Sequence, residues 1–183
     1  MKFYLSGGME YKKNLGKKWR DWLTEQLEEQ RHDAINPVKL ESAMDEEDAD
    51  KGFPLQSKLS ILKDEGKLNE VRKIVRDSLF RKDMFAIQLA DAIIVLYDES
   101  AQKGAGTLSE AWEAFREGVP VYLVTDFPIE DVPTWLIGET TQIFADFEEL
   151  LEYVKDHSHI IRDQMDARQI ASDCLGSIYE GSR

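Results

Sequence analysis

Cysteine is nearly absent from this chain. Cys174 stands alone among 183 residues, so no disulfide can close within it and no thiolate cluster can hold a metal. Histidine is almost as scarce. Of the three, His157 and His159 form one short pair near the tail and are expected at the surface rather than on a metal ion. No apolar run approaches the length that crosses a bilayer, and Met1-Lys2 leads straight into a short apolar stretch without the core and cleavage site of a signal peptide. These absences predict a soluble, cytoplasmic protein that works without a metal or cofactor. Positive charge is the minority sign, 23 basic residues against 36 acidic ones, for a formal net charge of −13. Such a surface repels phosphate polymers and anionic membranes, which removes nucleic-acid polymers and membranes from the expected partners. A small anionic ligand remains admissible, because a few local cations suffice to hold it.

What is present suits one compact domain with a core of its own, at 42% hydrophobic residues. Residues 2–6 read as a short buried strand ending in Gly7-Gly8. A helix is expected over 11–31, where Leu15, Trp19, Trp22, Leu23 and Leu27 recur at helical spacing. Residues 34–38 read as a second short strand, with Pro37 marking its end or an edge position. Residues 39–67 read as a polar inserted loop or lid with short helical pieces, broken at Gly52, Pro54 and Gly66. Its acids, concentrated in 41–50, lack the glycine-punctuated spacing of a calcium loop and are expected to be solvated. Helical spacing returns over 68–89, and Asp91-Ala92-Ile93-Ile94-Val95-Leu96-Tyr97 is the clearest buried strand. A helix over 107–117, strands over 119–124 and 142–144, and a helix over 147–154 follow. A last helix is expected over 158–179. The expected organisation is an α/β domain over 1–156 with its insertion at 39–67, and a helical tail over 157–183 available to a subunit interface.

Strict alternation of strands and helices argues for a parallel sheet covered on both faces. With five strands the simplest order is 2-1-3-4-5, the flavodoxin-like, Rossmann-like arrangement, in which ligands bind at the switch point beyond the carboxyl ends of strands 1 and 3. The segments leaving those ends are Ser6-Gly7-Gly8-Met9 and residues 98–107. Gly104-Ala105-Gly106-Thr107 opens a helix whose free amides can hold an anion or a sugar oxygen. It is neither a dinucleotide fingerprint, since Ser109 stands where the third glycine belongs, nor a phosphate-binding P-loop, since Gly-Lys-[Ser/Thr] is missing. Glu110 has two readings on spacing alone. With Thr107 it forms a capping box, and that structural role is favoured about two to one. Against it stands the company of Asp98, Glu99, Tyr4 and Ser6 at the switch point, where neighbouring carboxylates raise one another's pKa values.

Tyr4-Leu5-Ser6-Gly7-Gly8, Arg81-Lys82-Asp83, Asp91 through Asp98, and Gly104 through Glu110 followed by Ala111, Ala114 and Val119-Pro120-Val121 occur in order. As a set they resemble the nucleoside 2-deoxyribosyltransferase family, which includes relatives that hydrolyse nucleoside 5′-monophosphates. The resemblance spans about residues 2–125. It implies that Glu110 is the nucleophile on the anomeric carbon, that Tyr4 positions it, and that Asp83 and Asp98 contact or protonate the base. It also implies a homo-oligomer. Helix and strand rises place Asp83 somewhat below the crevice, making Asp98 the better candidate of the two. Asp91 lies at the far end of its strand and is read as structural. Ser6, Gly7, Gly8, Ser100, Lys103, Gly104, Gly106 and Thr107 are the candidate contacts to sugar or phosphate. The same turn also resembles the glycine-threonine-glutamate motif of phosphoribohydrolases that release cytokinin bases, without their Pro-Gly-Gly lead-in. From another class, a catalytically silent nucleotide-binding module would keep the glycines without needing Glu110 or Asp98.

Overall fold

The computed structural model describes residues 1–12, 14–41 and 55–158. Five strands form one parallel sheet: β1 (Lys2–Gly7), β2 (Asp33–Ile35), β3 (Ala92–Leu96), β4 (Val121–Val124) and β5 (Gln142–Phe144). Their order is β2-β1-β3-β4-β5, the predicted α/β topology. The register sets Ser6 beside Val95 and Gly7 beside Leu96, so the carboxyl ends of β1 and β3 lie side by side at the switch point.

Alternation along β1 divides the core in two. Phe3 and Leu5 point to one face, where Leu23 and Leu27 of α1 (Lys17–Glu29) pack with Leu150, Leu151 and Val154 of the helix over 147–158. Tyr4 points to the other face, toward Ala86 and Ile87 of α4 (Arg81–Gln88) and Ala111 and Ala114 of α6 (Gly106–Arg116). Alanines on both of these helices let them lie close against the sheet, and that closeness carries the α6 side chains to β1. Each buried leucine or isoleucine contributes about 1.5–3 kcal/mol.

Several boundaries differ from the sequence reading. Helix α1 starts at Lys17 rather than residue 11, because Leu15 (φ 53) and Gly16 (φ 71) turn the chain through left-handed conformations first. Strand β2 stops at Ile35. Asn36 Oδ1 accepts from Val38 N at 3.0 Å, and Pro37 opens a short helix over 37–41 instead of ending a strand. Within the supposed loop, α2 (Leu55–Asp64) is a full helix with Leu59 and Leu62 buried. Its neighbour α3 (Leu68–Ile74) continues through a π-helical segment, Val75–Phe80, into α4. The short α5 (Glu99–Lys103) and α7 (Thr134–Glu139) went unread, being too brief to show a period. The acids of 42–50, His159, Cys174 and all but the first residue of the helix expected over 158–179 lie outside the described residues. Among the described residues no helix is long and apolar enough to cross a membrane.

Candidate active site

Glu110 sits one turn into α6, on the flank that faces β1. The capping-box expectation fails here. The residue at the helix cap is Ala105, which has no side-chain oxygen, and the Glu110 carboxylate reaches across to the sheet instead. Its Oε1 accepts from Tyr4 Oη at 2.9 Å, and its Oε2 accepts from Ser6 Oγ in a short hydrogen bond. Tyr4 and Ser6 are two residues apart on β1, so the pleat aims both hydroxyls the same way, and both are wholly buried. Glu110 is half-buried. It lines a cavity of about 580 Å³, and the hydroxyls of β1 hold its carboxylate.

The walls of that cavity come from Gly7 at the end of β1 and Gly8 beyond it, Gly104 before α6, Gly106 and Thr107 at its start, Ser100 of α5, and Lys82 and Asp83 of α4. Val71, Val75, Leu79 and Phe80, along the helix that turns π-helical, make an apolar side. Gln56, Leu59, Ser60 and Lys63 of α2 close it from above, and Lys63 Nζ bonds Glu10 Oε1 at 2.7 Å. Glycine is required at Gly8, since a β-carbon there would lie 2.7 Å from the main-chain carbon of Ser100.

The electrostatics follow from this burial. Desolvation, and then the neighbouring Asp83 charge, push the Glu110 carboxyl from an ordinary 4.5 up to about 7. The Ser6 and Tyr4 hydrogen bonds and the Arg20 charge hold it back. Burial also raises Asp83, against the pull of Lys82, whose ammonium lies 3.5 Å from Asp83 Oδ1. Tyr4 is pushed well above 10 by burial and then by Glu110, so it stays a donor at any working pH. The site thus holds two carboxyls whose burial raises both above the ordinary range, Glu110 to about 7.

The residues predicted from sequence divide into three groups. Glu110, Asp83, Gly7, Gly8, Ser100, Gly104, Gly106 and Thr107 surround one cavity. Tyr4 and Ser6 lie behind Glu110, with no surface of their own in it. Asp98 and Lys103 face a neighbouring depression of about 390 Å³ with Tyr11, Lys12, Asp126 and Phe127. There Asp98 caps α5 by accepting from Ser100 N at 3.0 Å and Ala101 N at 3.1 Å, and it forms an ion pair with Lys12. Asp83 thus borders the cavity that Glu110 lines and Asp98 does not, the reverse of their placement by element rise. Asp91 accepts from Lys2 N at 2.6 Å at the opposite edge of the sheet. Sequence reasoning missed Arg20, whose only signal was a charged residue in the buried i, i+3, i+7 stripe with Leu23 and Leu27. It also missed the contribution of α2, for which sequence distance left no signal. Among the described residues no cluster of three His, Cys, Asp or Glu side chains has the arrangement of a metal site.

No protein-family model and no curated protein sequence matches the chain. Among solved structures, its fold is similar to that of a 2-deoxyribosyltransferase from Bacillus psychrosaccharolyticus. The two are 18% identical, the match covers 84% of this chain and 92% of that one, and the TM-score is 0.58. A CMP N-glycosidase from Clostridium botulinum, BcmB, matches at 14% identity over 84% of this chain and 98% of its own, with a TM-score of 0.45. The first likeness establishes a shared fold, which agrees with the resemblance read from the sequence. The second superposes too loosely to add to it.

Proposed function

We propose that the protein cleaves the N-glycosidic bond of a nucleoside or a nucleoside 5′-monophosphate, and that Glu110 attacks the anomeric carbon. The observation that carries this reading is the Glu110 carboxylate itself, withdrawn from bulk water, held by two hydroxyls and open to a cavity. Loss of a nucleobase leaves positive charge on the anomeric carbon and ring oxygen, which a carboxylate at this position stabilises. The C1′–N bond breaks as a Glu110 oxygen bonds to C1′, giving a glycosyl-enzyme ester, and the departing nitrogen takes a proton. Asp83 is the donor the geometry favours, because it shares the cavity and its proton is held more tightly than an ordinary aspartate's. Asp98 is left to support the adjoining wall. A second base resolves the ester in transfer, and water resolves it in hydrolysis. Neither route demands a metal or cofactor.

The homo-oligomer implied by the family resemblance is supported by exposed aromatic groups on one side of the domain. Trp112 and Trp135 have ring centroids 5.9 Å apart, and Phe115 lies 5.7 Å from Trp112. Light scattering on the purified protein tests this directly.

The activity is tested by offering deoxynucleosides with and without a free acceptor base, and nucleoside 5′-monophosphates separately, and separating the products by chromatography. Exchange that needs the acceptor means a transferase, and base release from monophosphates means a hydrolase. Binding without turnover points instead to a silent module. Glu110→Gln is expected to lower kcat at least about a thousandfold. Full turnover by that variant would defeat the proposal.

A further inference from the structure

Arg20 is a charged side chain with no exposed surface, the largest of the fully buried groups among the described residues. Among the described residues no carboxylate forms an ion pair with it. Its fork is spent on main-chain oxygens instead: Nε donates to Leu5 O at 3.0 Å, Nη2 to Gly7 O at 2.8 Å and Nη1 to Leu15 O at 2.7 Å. The guanidinium carbon stands 4.4 Å over the Trp19 ring. Burying an unpaired cation is expensive, and an apolar residue would fill a stripe position on α1 more cheaply. Further strain is accepted around it. Leu15 holds a left-handed φ of 53, and Gly16 must lack a β-carbon, which would meet Arg20 Nη1 at 2.5 Å.

The two strand carbonyls it grips flank Ser6, whose hydroxyl bonds Glu110 from the opposite face of β1. Arg20 thus fixes the backbone on both sides of the residue that aims the nucleophile. We propose that Arg20 is a positioning residue for the reaction at Glu110, clamping Ser6 through its neighbours' carbonyls while lending its charge to the Glu110 carboxylate through the strand. This rests on Glu110 being the nucleophile.

The groups that act on Glu110 are Asp83 from α4, paired with Lys82, then Tyr4 from β1 and Arg20 from α1, while Glu10, Tyr11, Glu41 and Lys63 line the same cavity. Glu110, Tyr4, Asp98 and Asp83 are in turn the groups that favour the charged form of Arg20. Burial lowers the guanidinium only to about 10, so it stays positive wherever Glu110 titrates. Lys82 is engaged with Asp83 and Lys63 with Glu10, which leaves Arg20, among the described residues near Glu110, as the cation without a carboxylate of its own.

The test compares Arg20→Lys, which keeps the charge and loses the fork, with Arg20→Met, which loses both. A cooperative thermal melt is required of each. With a deoxynucleoside or nucleoside 5′-monophosphate that the native protein turns over, Arg20→Lys is expected to lower kcat about tenfold to a hundredfold with KM within about twofold, since Arg20 does not border the cavity. Its acid limb should stay where the native one lies. Arg20→Met should move that limb about one pH unit upward, and the carboxyl carbon of Glu110, followed by ¹³C NMR without any substrate, should titrate higher by the same amount. Where Arg20→Met fails to melt cooperatively, the proposal stands or falls on Arg20→Lys. An Arg20→Lys protein with native kcat, or one altered only in KM, overturns it, as does a folded Arg20→Met protein whose Glu110 titrates at the native pH. Failure of the underlying reading looks different: Glu110→Gln would then remain active, whatever the Arg20 variants do.

Discussion

Replacing Glu110 by glutamine should stabilise the fold above neutral pH while abolishing activity. The sign follows from the raised carboxyl. A folded-state pKa of about 7 against an ordinary 4.5 means that the native state binds this proton more tightly than the unfolded chain. Its stabilising contribution is complete below 4.5 and is lost as pH rises through about 7. Carried to full ionisation, the difference amounts to at most about 3 kcal/mol, with water in the cavity reducing it. For a domain of this size that corresponds to roughly 6–12 °C in Tm. Glutamine keeps an oxygen for Tyr4 and carries no charge, so its melting temperature lacks this term. Its amide presents a donor to Ser6 where the carboxylate presented an acceptor, a cost of about 1 kcal/mol that does not vary with pH. Thermal or urea melts of both proteins from pH 5 to 8.5 isolate the effect, because every other titrating group is common to the pair. The gap between the two proteins should grow in favour of glutamine with each step upward in pH and level off above about 8. Parallel curves across that range would refute the reasoning, since they would show that Glu110 does not titrate inside the fold near neutrality.

The same geometry fixes other outcomes. The acid limb of kcat/KM should lie near pH 7, where Glu110 becomes ionised in the free protein. Tyr4→Phe removes the 2.9 Å hydrogen bond to Oε1 and should move that limb upward while lowering kcat about tenfold or more, read from a pH–rate profile. Asp83→Asn removes a like charge beside Glu110 and a proton donor together, so the acid limb should move downward while base release suffers most for the poorest leaving groups. Gly8→Ala forces a β-carbon against Ser100 and should cost about 1–3 kcal/mol in a urea melt, with loss of activity even where the protein remains folded.

The strand order was legible because parallel neighbours need crossovers and the apolar runs alternate with helical spacing over most of the chain. Lengths were less so. Residues 37–41 look like the end of a strand until Asn36 is seen to accept from Val38, and α2 is hidden by polar residues on its outer turns. Around the site, the family resemblance and the switch point set Tyr4 and Ser6 near Glu110, but the hydrogen bonds between them left no local pattern, because Tyr4 and Glu110 stand 106 residues apart and only packing makes them neighbours.

The sequence by itself determined the parallel architecture and the switch point, since both follow from local periodicity and the handedness of crossovers. It also set the acidic surface and the chemical character of the groups at the strand ends. The tertiary structure decided which of them meet. Glu110 is a free carboxylate rather than a helix cap because α6 lies close enough to β1 for two hydroxyls to claim it. Asp83 shares its cavity and Asp98 does not, because helix path and strand end are set by packing. Arg20 became visible only once the carbonyls around Ser6 had positions, since a hydrogen bond from a side chain to distant backbone leaves no pattern in a sequence.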